Sequence, residues 1–307
     1  SGPTEFRGGR GRGVVAGGQQ ASPVGTVNTM EFIEIATTGN ATDFGDFNQS
    51  PYFGGTGFAS ATRGLFAGGY NPTAGITDIG FFTFSSNGGA NDFGDMAFRR
   101  YYPFSPSDST RGLISGGKTN PVAVNLNSIE FVTMASTGDA SEFGDMTDKR
   151  NWAASVNSPT RGLFGGGRPL ASDNSTYTNL IDFVTIQTKG NALDFGNLVA
   201  AGGAMDGCSS TTRGLWGGIY PGSFTARIDF VTMATFGNAS DFGDLSRTVF
   251  GAGGMSNSIR GVWAGGQNPS NDPGMNIMDF VTIATTGNAS DFGDLTAAKG
   301  YVKGCAD

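Results

Sequence analysis

One unit of about 50 residues recurs six times along the chain. Successive copies of its most regular position, a Phe, are 49, 50, 52, 47 and 50 residues apart. The six copies cover nearly all of the 307 residues, which predicts one repeat domain. Each copy has an Arg-Gly-aliphatic segment, at Arg12, Arg63, Arg111, Arg161, Arg213 and Arg260, and an acidic-Phe-Gly-Asp/Asn segment, at Phe44, Phe93, Phe143, Phe195, Phe242 and Phe292.

Within a unit, short runs of β-branched and aromatic residues alternate with Gly, Asn and Thr. Residues 260–303 contain R-G-V-W-A-G-G, a variable loop, I-M-D-F-V-T-I-A, T-T-G-N-A and S-D-F-G-D-L. Runs of this length and spacing are typical of strands, and no segment keeps a helical period. Gly and Asn tolerate the positive φ of tight turns, so T-G-N-A is predicted to join the third and fourth strands. Each unit is therefore predicted to form four antiparallel strands.

Six small sheets that cannot bury both faces alone can stack radially, which predicts an all-β, six-bladed β-propeller. The chain enters at a second strand, at Arg12, and residues 299–305 align with the first strands of other units. The two ends are therefore predicted to share one blade, which ties both of them into a sheet. Residues 1–307 are interpreted as a single propeller, with 1–11 as an N-terminal extension or linker.

The order of segments resembles that of the kelch superfamily. Residues 150–167, R-N-W-A-A-S-V-N-S-P-T-R-G-L-F-G-G-G, followed by L-I-D-F-V-T-I at 180–186, carry the resemblance. The chain lacks the regular Tyr and Trp of kelch third and fourth strands. The G-N-A-S-D-F-G-D-L style is similar to propeller repeats of tail-fibre and other virion-surface proteins of marine bacteriophages. This resemblance implies an extracellular location on a virion surface, with host-surface glycan or protein and other virion proteins as partners.

Composition removes several classes of chemistry. The chain has no His, which excludes Ser-His-Asp and Cys-His nucleophiles and His-ligated metals. A net charge of −7 argues against nucleic acid as a partner, and no apolar run approaches the length of a membrane span. We predict no cofactor, no metal and no catalytic residue. Cys208 and Cys305 occupy the same first-strand position two blades apart, too far for a disulfide, and are predicted to be free thiols.

The acidic residues follow the repeat. We expect them to accept backbone N–H groups in turns and to pair with the Arg of the Arg-Gly segment between neighbouring blades. D-F-G recurs in the blades, which favours a structural role over a kinase signature. Calcium is the alternative, although D-x-D-x-D spacing is missing. Sixteen of the 26 acids lie at three recurring positions: Glu31, Glu130, Asp182, Asp229 and Asp279; Asp43, Asp92, Glu142, Asp194, Asp241 and Asp291; Asp46, Asp95, Asp145, Asp244 and Asp294.

The loop between second and third strands varies in every copy. In an up-and-down blade these loops share one face with the links between blades, and the uniform T-G-N-A turns lie opposite. The aromatic and polar content of the loops suits recognition of a glycan or protein, and ordinary solvated loops are the alternative. The predicted ligand-binding residues are Tyr70, Arg168, Tyr177, Tyr220, Phe224 and Asn268. A second aromatic set, predicted to pack near the first strands nine residues after each Phe, is Phe53, Tyr102, Trp152 and Tyr301.

The sequence thus predicts a non-enzymatic recognition or structural module. A purely structural virion decoration protein stays open, and a basic or apolar docking patch on the uniform face would favour it. A propeller glycosidase also stays open, since it needs a carboxylate pair about 5–10 Å apart on one face. The acids outside the recurring positions that are available for such a pair are Glu34, Asp78, Asp108, Asp148, Asp173, Asp206 and Asp272.

Overall fold

A computed structural model describes residues 11–21, 24–47, 53–71, 74–171, 175–268 and 274–307. Every regular element in these ranges is a strand, and the strands form six antiparallel sheets in a ring, which confirms the six-bladed β-propeller. A helix long and apolar enough to cross a bilayer does not occur among the described residues. Nearly all of the predicted N-terminal extension, residues 1–10, lies outside them.

The sheets are called blades 1 to 6, and their strands are given from the axis outward. Blade 1 comprises Lys303–Ala306, Arg12–Ala16, Thr29–Glu34 and Thr42–Asp46. Blade 2 comprises Thr56–Ala59, Arg63–Ala67, Asp78–Thr83 and Asn91–Asp95, and blade 3 has Arg111–Ser115, Ser128–Thr133 and Ser141–Asp145. Blade 4 comprises Ala154–Asn157, Arg161–Gly165, Leu180–Thr185 and Leu193–Asn197, and blade 5 comprises Asp206–Ser209, Arg213–Gly217, Arg227–Thr232 and Ser240–Asp244. Blade 6 comprises Gly253–Ser256, Arg260–Ala264, Met275–Thr282 and Ser290–Gly300. Two short strands from the variable loop of blade 1, Gln19–Ala21 and Val24–Thr26, extend the sheet of blade 6.

The two chain ends complete blade 1, as predicted. Lys303–Ala306 pairs antiparallel with Arg12–Ala16, and the Asp307 carboxylate accepts the backbone N–H groups of Gly11 and Arg12 at 2.7 Å each. The closing strand begins later than the predicted residue 299. Lys299 still belongs to the outer strand of blade 6, because its backbone pairs with Gln20 of the added hairpin.

Blade 3 departs from the predicted four regular strands. Its innermost segment is held by isolated pairs, Phe104 with Ser115 and Ser107 with Gly112. Pro106 lies between these pairs and has no N–H to donate, so the ladder is interrupted at this point. The segment still occupies the inner position of the blade.

The apolar core lies between blades. Each cluster joins residues of adjacent blades, as where Phe44 of blade 1 meets Phe82 of blade 2 with ring centroids 5.0 Å apart. Cys208 and Cys305 are fully buried in these interfaces and form no disulfide with each other, which confirms the prediction. Because a blade buries its faces only on its neighbours, the ring must close for every blade to be covered.

The T-G-N-A and D-F-G-D segments cap the rim of the ring. Gly39 N–H donates to Phe292 O and Ala41 N–H donates to Asp294 O, both at 2.8 Å, and Asn40 Oδ1 accepts Asp294 N–H. The two backbone bonds recur at all six blade interfaces. A Cβ on Gly293 would lie 2.5 Å from Gly39 O, so the Gly of D-F-G is required by the close approach of the next turn. The structural interpretation of D-F-G is confirmed.

The predicted pairing of the Arg-Gly arginines with recurring carboxylates is wrong. Each of these half-buried arginines donates Nη1 at 2.9–3.3 Å to a carbonyl just beyond the third strand of the next blade. Its guanidinium lies 4.3–5.4 Å from the centroid of a Phe in its own blade. Position along the neighbouring strand explains the error. Arg161 reaches the carbonyl of Met233, just beyond the end of Arg227–Thr232, while the recurring Asp229 lies nearer the start of that strand. Among the described residues, Arg12 is the one member of the six with a carboxylate partner, the non-repeat Glu34 at 3.1 Å.

Three of the five recurring carboxylates of the third strands pair with an Arg in a link between blades. Arg150 Nη2 lies 2.9 Å from Asp182 Oδ2, and both side chains are 0% exposed. Asp182 also accepts the backbone N–H and the hydroxyl of Thr147, so the carboxylate fastens the link to the blade. The other two are Arg100–Glu130 and Arg247–Asp279. Glu31 of blade 1 pairs with Lys299 of the outer strand of blade 6, and Asp229 pairs with Arg227 of its own strand. Blade 2 has Gly80 in place of the carboxylate.

Candidate functional site: the loop face

The links and the variable loops meet on one face of the ring, here called the loop face. Backbone bridges join the two in several blades, including Phe53 with Tyr70, Asn151 with Arg168 and Gly203 with Tyr220. Tyr70, Arg168 and Tyr220 thus occupy one equivalent position, three residues after the end of the second strand. The T-G-N-A turns lie on the opposite face, here called the turn face, as the sequence predicts.

One residue from each link forms a ring around the axis, here called the axial ring. Its members have φ between 55° and 68°, in the left-handed region. Backbone N–H groups donate around the ring, from Tyr102 to Gly54 O at 2.6 Å and from Ala204 to Trp152 O at 2.8 Å. This conformation costs about 1–2 kcal/mol for a residue with a side chain. The axial ring consists of Gly54, Tyr102, Trp152, Ala204, Gly251 and Tyr301.

The second predicted aromatic set is confirmed as a packing set, with one shift of position. Tyr102, Trp152 and Tyr301 belong to the axial ring, whereas Phe53 precedes Gly54 because the link into blade 2 is one residue longer. The ring of Phe53 still packs among the others, with centroids 5.8 Å from Tyr301 and 6.4 Å from Tyr102.

Ten aromatic side chains join into one surface on the loop face, here called the aromatic platform. Neighbouring ring centroids lie 4.9–6.5 Å apart, mostly at steep interplanar angles. All ten are half-buried, unlike the fully buried Phe rings between blades. The platform consists of Phe53, Tyr70, Tyr101, Tyr102, Trp152, Tyr177, Tyr220, Phe224, Phe250 and Tyr301.

Four of the predicted ligand-binding residues come together on one side of the platform. Tyr177 and Tyr220, from neighbouring blades, have ring centroids 5.9 Å apart, and Phe224 lies 5.4 Å from Tyr220. Arg168 Nη2 donates to the Tyr177 hydroxyl at 2.6 Å, and its guanidinium lies 3.8 Å from the centroid of Trp152.

The other two predicted residues lie apart from this group. Tyr70 packs on the far side of the axis, 5.6 Å from Phe53. Asn268 directly follows Gln267, whose backbone bridges to Phe250 of the platform. Asn268 is therefore next in sequence to a residue at the edge of the platform. Sequence reasoning missed Tyr101 and Phe250. Each of them directly precedes a residue of the axial ring in the sequence. That position, one residue before the regularly spaced aromatic set, could have identified them.

The aromatic residue types are sorted between core and loop face. Every tyrosine among the described residues, six of the seven in the chain, lies on the platform. Trp216 and Trp263 are 0% exposed between blades, whereas Trp152 lies on the platform. Tyr combines an apolar ring with a polar tip, which suits a surface that is wet on one side.

The phenols of the axial ring stay neutral over the physiological range. Burial, before all other causes, raises the pKa of Tyr301 to about 12 and also raises the pKa of Tyr102. Burial, followed by the charge of Arg168, lowers the pKa of Lys118 at the rim of the platform. A cavity of about 20 Å³ lies at the axial mouth, lined by Tyr102, Trp152 and Tyr301 among others. The site therefore offers hydroxyl donors and aromatic surface around a narrow mouth.

Four of the non-repeat acids, Glu34, Asp78, Asp108 and Asp206, belong to four different blades. Glu34 pairs with Arg12, Asp108 accepts the N–H groups of Thr110 and Arg111 in a turn, and Asp206 lies 3.4 Å from Lys303. Asp173 and Asp272 fall outside the described residues. Asp78 faces Asp95 across two strands of blade 2, where burial and then the Asp95 charge raise its pKa. The described residues contain no group of three or more carboxylates or thiols arranged to hold a metal ion.

Comparison with solved structures identifies a propeller with the same architecture. The structure of YjhT superposes with a TM-score of 0.70, covering 86% of this chain and 91% of that chain, at 9% sequence identity. A likeness at this identity concerns the fold alone. No family model matches the chain, and no curated protein sequence is significantly similar.

Proposed function

We propose that the propeller is a non-enzymatic recognition module that binds its ligand on the aromatic platform of the loop face. The observation that carries this proposal is the collection of every described tyrosine, with Trp152 and three Phe residues, into one half-buried surface. Tyr and Trp supply large contact areas with little side-chain entropy to lose on binding. A partly exposed aromatic surface rimmed by polar loops is the kind of patch that marks an interaction site.

The resemblance of the repeats to those of virion-surface propellers supports a location on a phage virion. In that setting the loop face binds a host-surface glycan or protein, and the variable loops set which one. Loops on a rigid scaffold vary without loss of fold, because the blade strands and the link ion pairs hold their ends. The buried pair Arg150–Asp182 fastens the link into blade 4, which carries Trp152 of the platform.

A purely structural role is the second candidate, and one observation on the turn face favours it. Phe236 is 60% exposed, and the other blades have Thr, Asn or Lys at its position. Leu193 is 62% exposed, and the other blades have Thr, Asn or Ser at its position. The ring centroids of Phe236 and Phe183 of blade 4 are 5.0 Å apart, and Phe183 pairs with Leu193 across two strands. The two exposed residues therefore border one apolar patch. Such a patch suits attachment to another virion protein.

Paired variants separate the two functions. Tyr177→Ala with Tyr220→Ala removes two contacting rings of the platform, and Phe236→Thr restores the repeat residue on the turn face. We expect the Tyr double variant to weaken adsorption to host cells or to an immobilised glycan, with a change in stability of about 0.5–1 kcal/mol. Phe236→Thr should bind as the parent does. Undiminished binding by the Tyr double variant, or loss in Phe236→Thr alone, would refute recognition by the loop face.

A further inference from the structure

The axial ring holds aromatic side chains at a backbone position that favours glycine. All six residues adopt left-handed φ values, where a side chain is energetically unfavourable. Blades 2 and 6 have Gly54 and Gly251 at this position, so the fold accepts glycine there. Tyr102, Trp152 and Tyr301 therefore keep their rings at the mouth against the backbone preference of the position. Strain of this kind is typical of sites that bind or react.

The two glycines of the axial ring let neighbouring rings lie across the mouth. A Cβ on Gly54 would be 2.6 Å from Tyr102 Cε1, and a Cβ on Gly251 would be 3.1 Å from Tyr301 Cδ1. Each Tyr ring thus lies against the backbone of a glycine in the preceding blade. The centroids of the two Tyr rings are 6.4 Å apart, so aromatic surface spans the axis.

The mouth is too narrow for a ligand to enter. Its cavity of about 20 Å³ has room for about one water molecule. Lys303, which also lines it, lies 3.4 Å from the Asp206 carboxylate and is thereby charge-balanced. What a ligand meets is a broad aromatic surface carrying neutral hydroxyl groups.

We propose that the axial ring is the anchoring subsite of the loop face and that its ligand is a neutral carbohydrate, with one sugar ring packed on Tyr102, Trp152 and Tyr301. This inference rests on the proposed function and specifies its ligand. A sugar ring has an apolar C–H face and hydroxyls at its edge, which matches aromatic rings bordered by phenols and loop amides. Single-stranded nucleic acid also stacks on aromatic rings, but it requires a cationic groove, and the chain has a net charge of −7.

Tryptophan fluorescence reports on this subsite directly. Trp216 and Trp263 are 0% exposed, so a soluble quencher such as iodide reaches Trp152 first. The probes are maltose, cellobiose and mannobiose, with a glucuronic acid disaccharide and a thymidine hexanucleotide as charged comparisons. We expect at least one neutral disaccharide to protect Trp152 from quenching, equally at low and high salt. Protection only by a charged probe, or by none of the sugars at millimolar concentration, overturns the carbohydrate assignment.

Glycine substitutions at the axial ring test the subsite without adding backbone strain. Tyr102→Gly and Tyr301→Gly should each weaken binding of the protecting sugar about tenfold or more. Ala204→Gly is the matched control, since it relaxes the same backbone position without removing a ring, and should bind as the parent does. Thermal melting of all three variants shows whether they are folded.

The outcomes separate this inference from the proposed function. If sugar binding survives Tyr102→Gly and Tyr301→Gly but is lost with Tyr177→Ala and Tyr220→Ala, loop-face recognition stands and the axial subsite is wrong. If sugar binding is lost in the axial variants while host adsorption is unchanged, the subsite stands and recognition of the host by this face is wrong. An equal loss of sugar binding in Ala204→Gly would mean that the backbone geometry of the axial ring, and not aromatic contact, controls binding.

Discussion

Removing the charge of Asp182 should destabilise the propeller strongly. Asp182 is 0% exposed and pairs with Arg150, also 0% exposed, at 2.9 Å. Asp182→Asn keeps the size of the side chain but leaves the guanidinium of Arg150 without its counter-ion. Burial already lowers the pKa of Arg150, which shows how poorly its surroundings solvate the charge.

The size of the effect follows from burial. Breaking a buried pair by neutralising one partner costs about 3–5 kcal/mol, because an uncompensated charge remains in the interior. Arg150→Met should cost less than Asp182→Asn, because Asp182 keeps the N–H and hydroxyl of Thr147 as donors. The double variant Arg150→Met with Asp182→Leu should lose less than the sum of the single losses, since no charge is left unpaired. Gly80 in blade 2 shows that a blade forms without the carboxylate.

Urea denaturation followed by tryptophan fluorescence measures these differences. Equal m-values among variants are required before midpoints are compared as free energies of unfolding. Glu34→Gln is the matched control, because Glu34 pairs with Arg12 at 3.1 Å while its side chain is 46% exposed. It should cost less than about 1 kcal/mol. Asp182→Asn should lower the free energy of unfolding by much more than this control. If it too costs less than about 1 kcal/mol, the reasoning that burial makes loss of one partner costly is refuted.

Four further changes test other parts of the structure. Deleting residues 303–307 removes the closing strand and exposes an inner sheet edge, so cooperative melting should be lost, and a parent-like melting curve would contradict the closure of blade 1. Gly293→Ala should destabilise by about 2 kcal/mol or more, whereas Gly39→Ala, with open space around its Cβ, should be nearly neutral in the same denaturation assay. Asp78→Ser should stabilise by about a few tenths of a kcal/mol at pH 7 and have no effect at pH 3, because burial and Asp95 disfavour the ionised form of Asp78. The free energy of unfolding should fall as the pH rises from 10 towards the Tyr301 pKa of about 12, because the folded state holds the Tyr301 phenol proton more tightly than the unfolded state does. Tyr301→Phe should make this fall smaller.

Local patterns were sufficient to predict the strands and their order. Alternating apolar runs, turn residues and a six-fold repeat specified the blades, and the offset of the chain ends specified the shared blade. Loop variability pointed to Tyr70, Arg168, Tyr177, Tyr220, Phe224 and Asn268, and the structure places four of them together. That they bind a ligand stays a prediction. Blade 3 deviated where Pro106 lacks the N–H that a regular strand donates.

Pairings across blades were not predictable in this way. The sequence offered the Arg-Gly arginines and the recurring acids of neighbouring blades as partners. Arg161 instead meets the carbonyl of Met233 in the next blade, and Arg150 from the link reaches Asp182. Likewise, one extra link residue moved Phe53 off the axial ring and put Gly54 there. Neither outcome is visible from the repeat spacing alone, because it depends on how each link crosses to the next sheet.

By itself, the sequence determined the number of blades, the strand order, the closure and the face that varies, because each depends on residue types within one repeat or on the position of the chain ends. The tertiary structure alone decided which cation meets which carboxylate, and that Tyr101 and Phe250 join the aromatic platform. These contacts join side chains from different repeats, and their geometry is set by strand register and link length once the blades have packed into a ring.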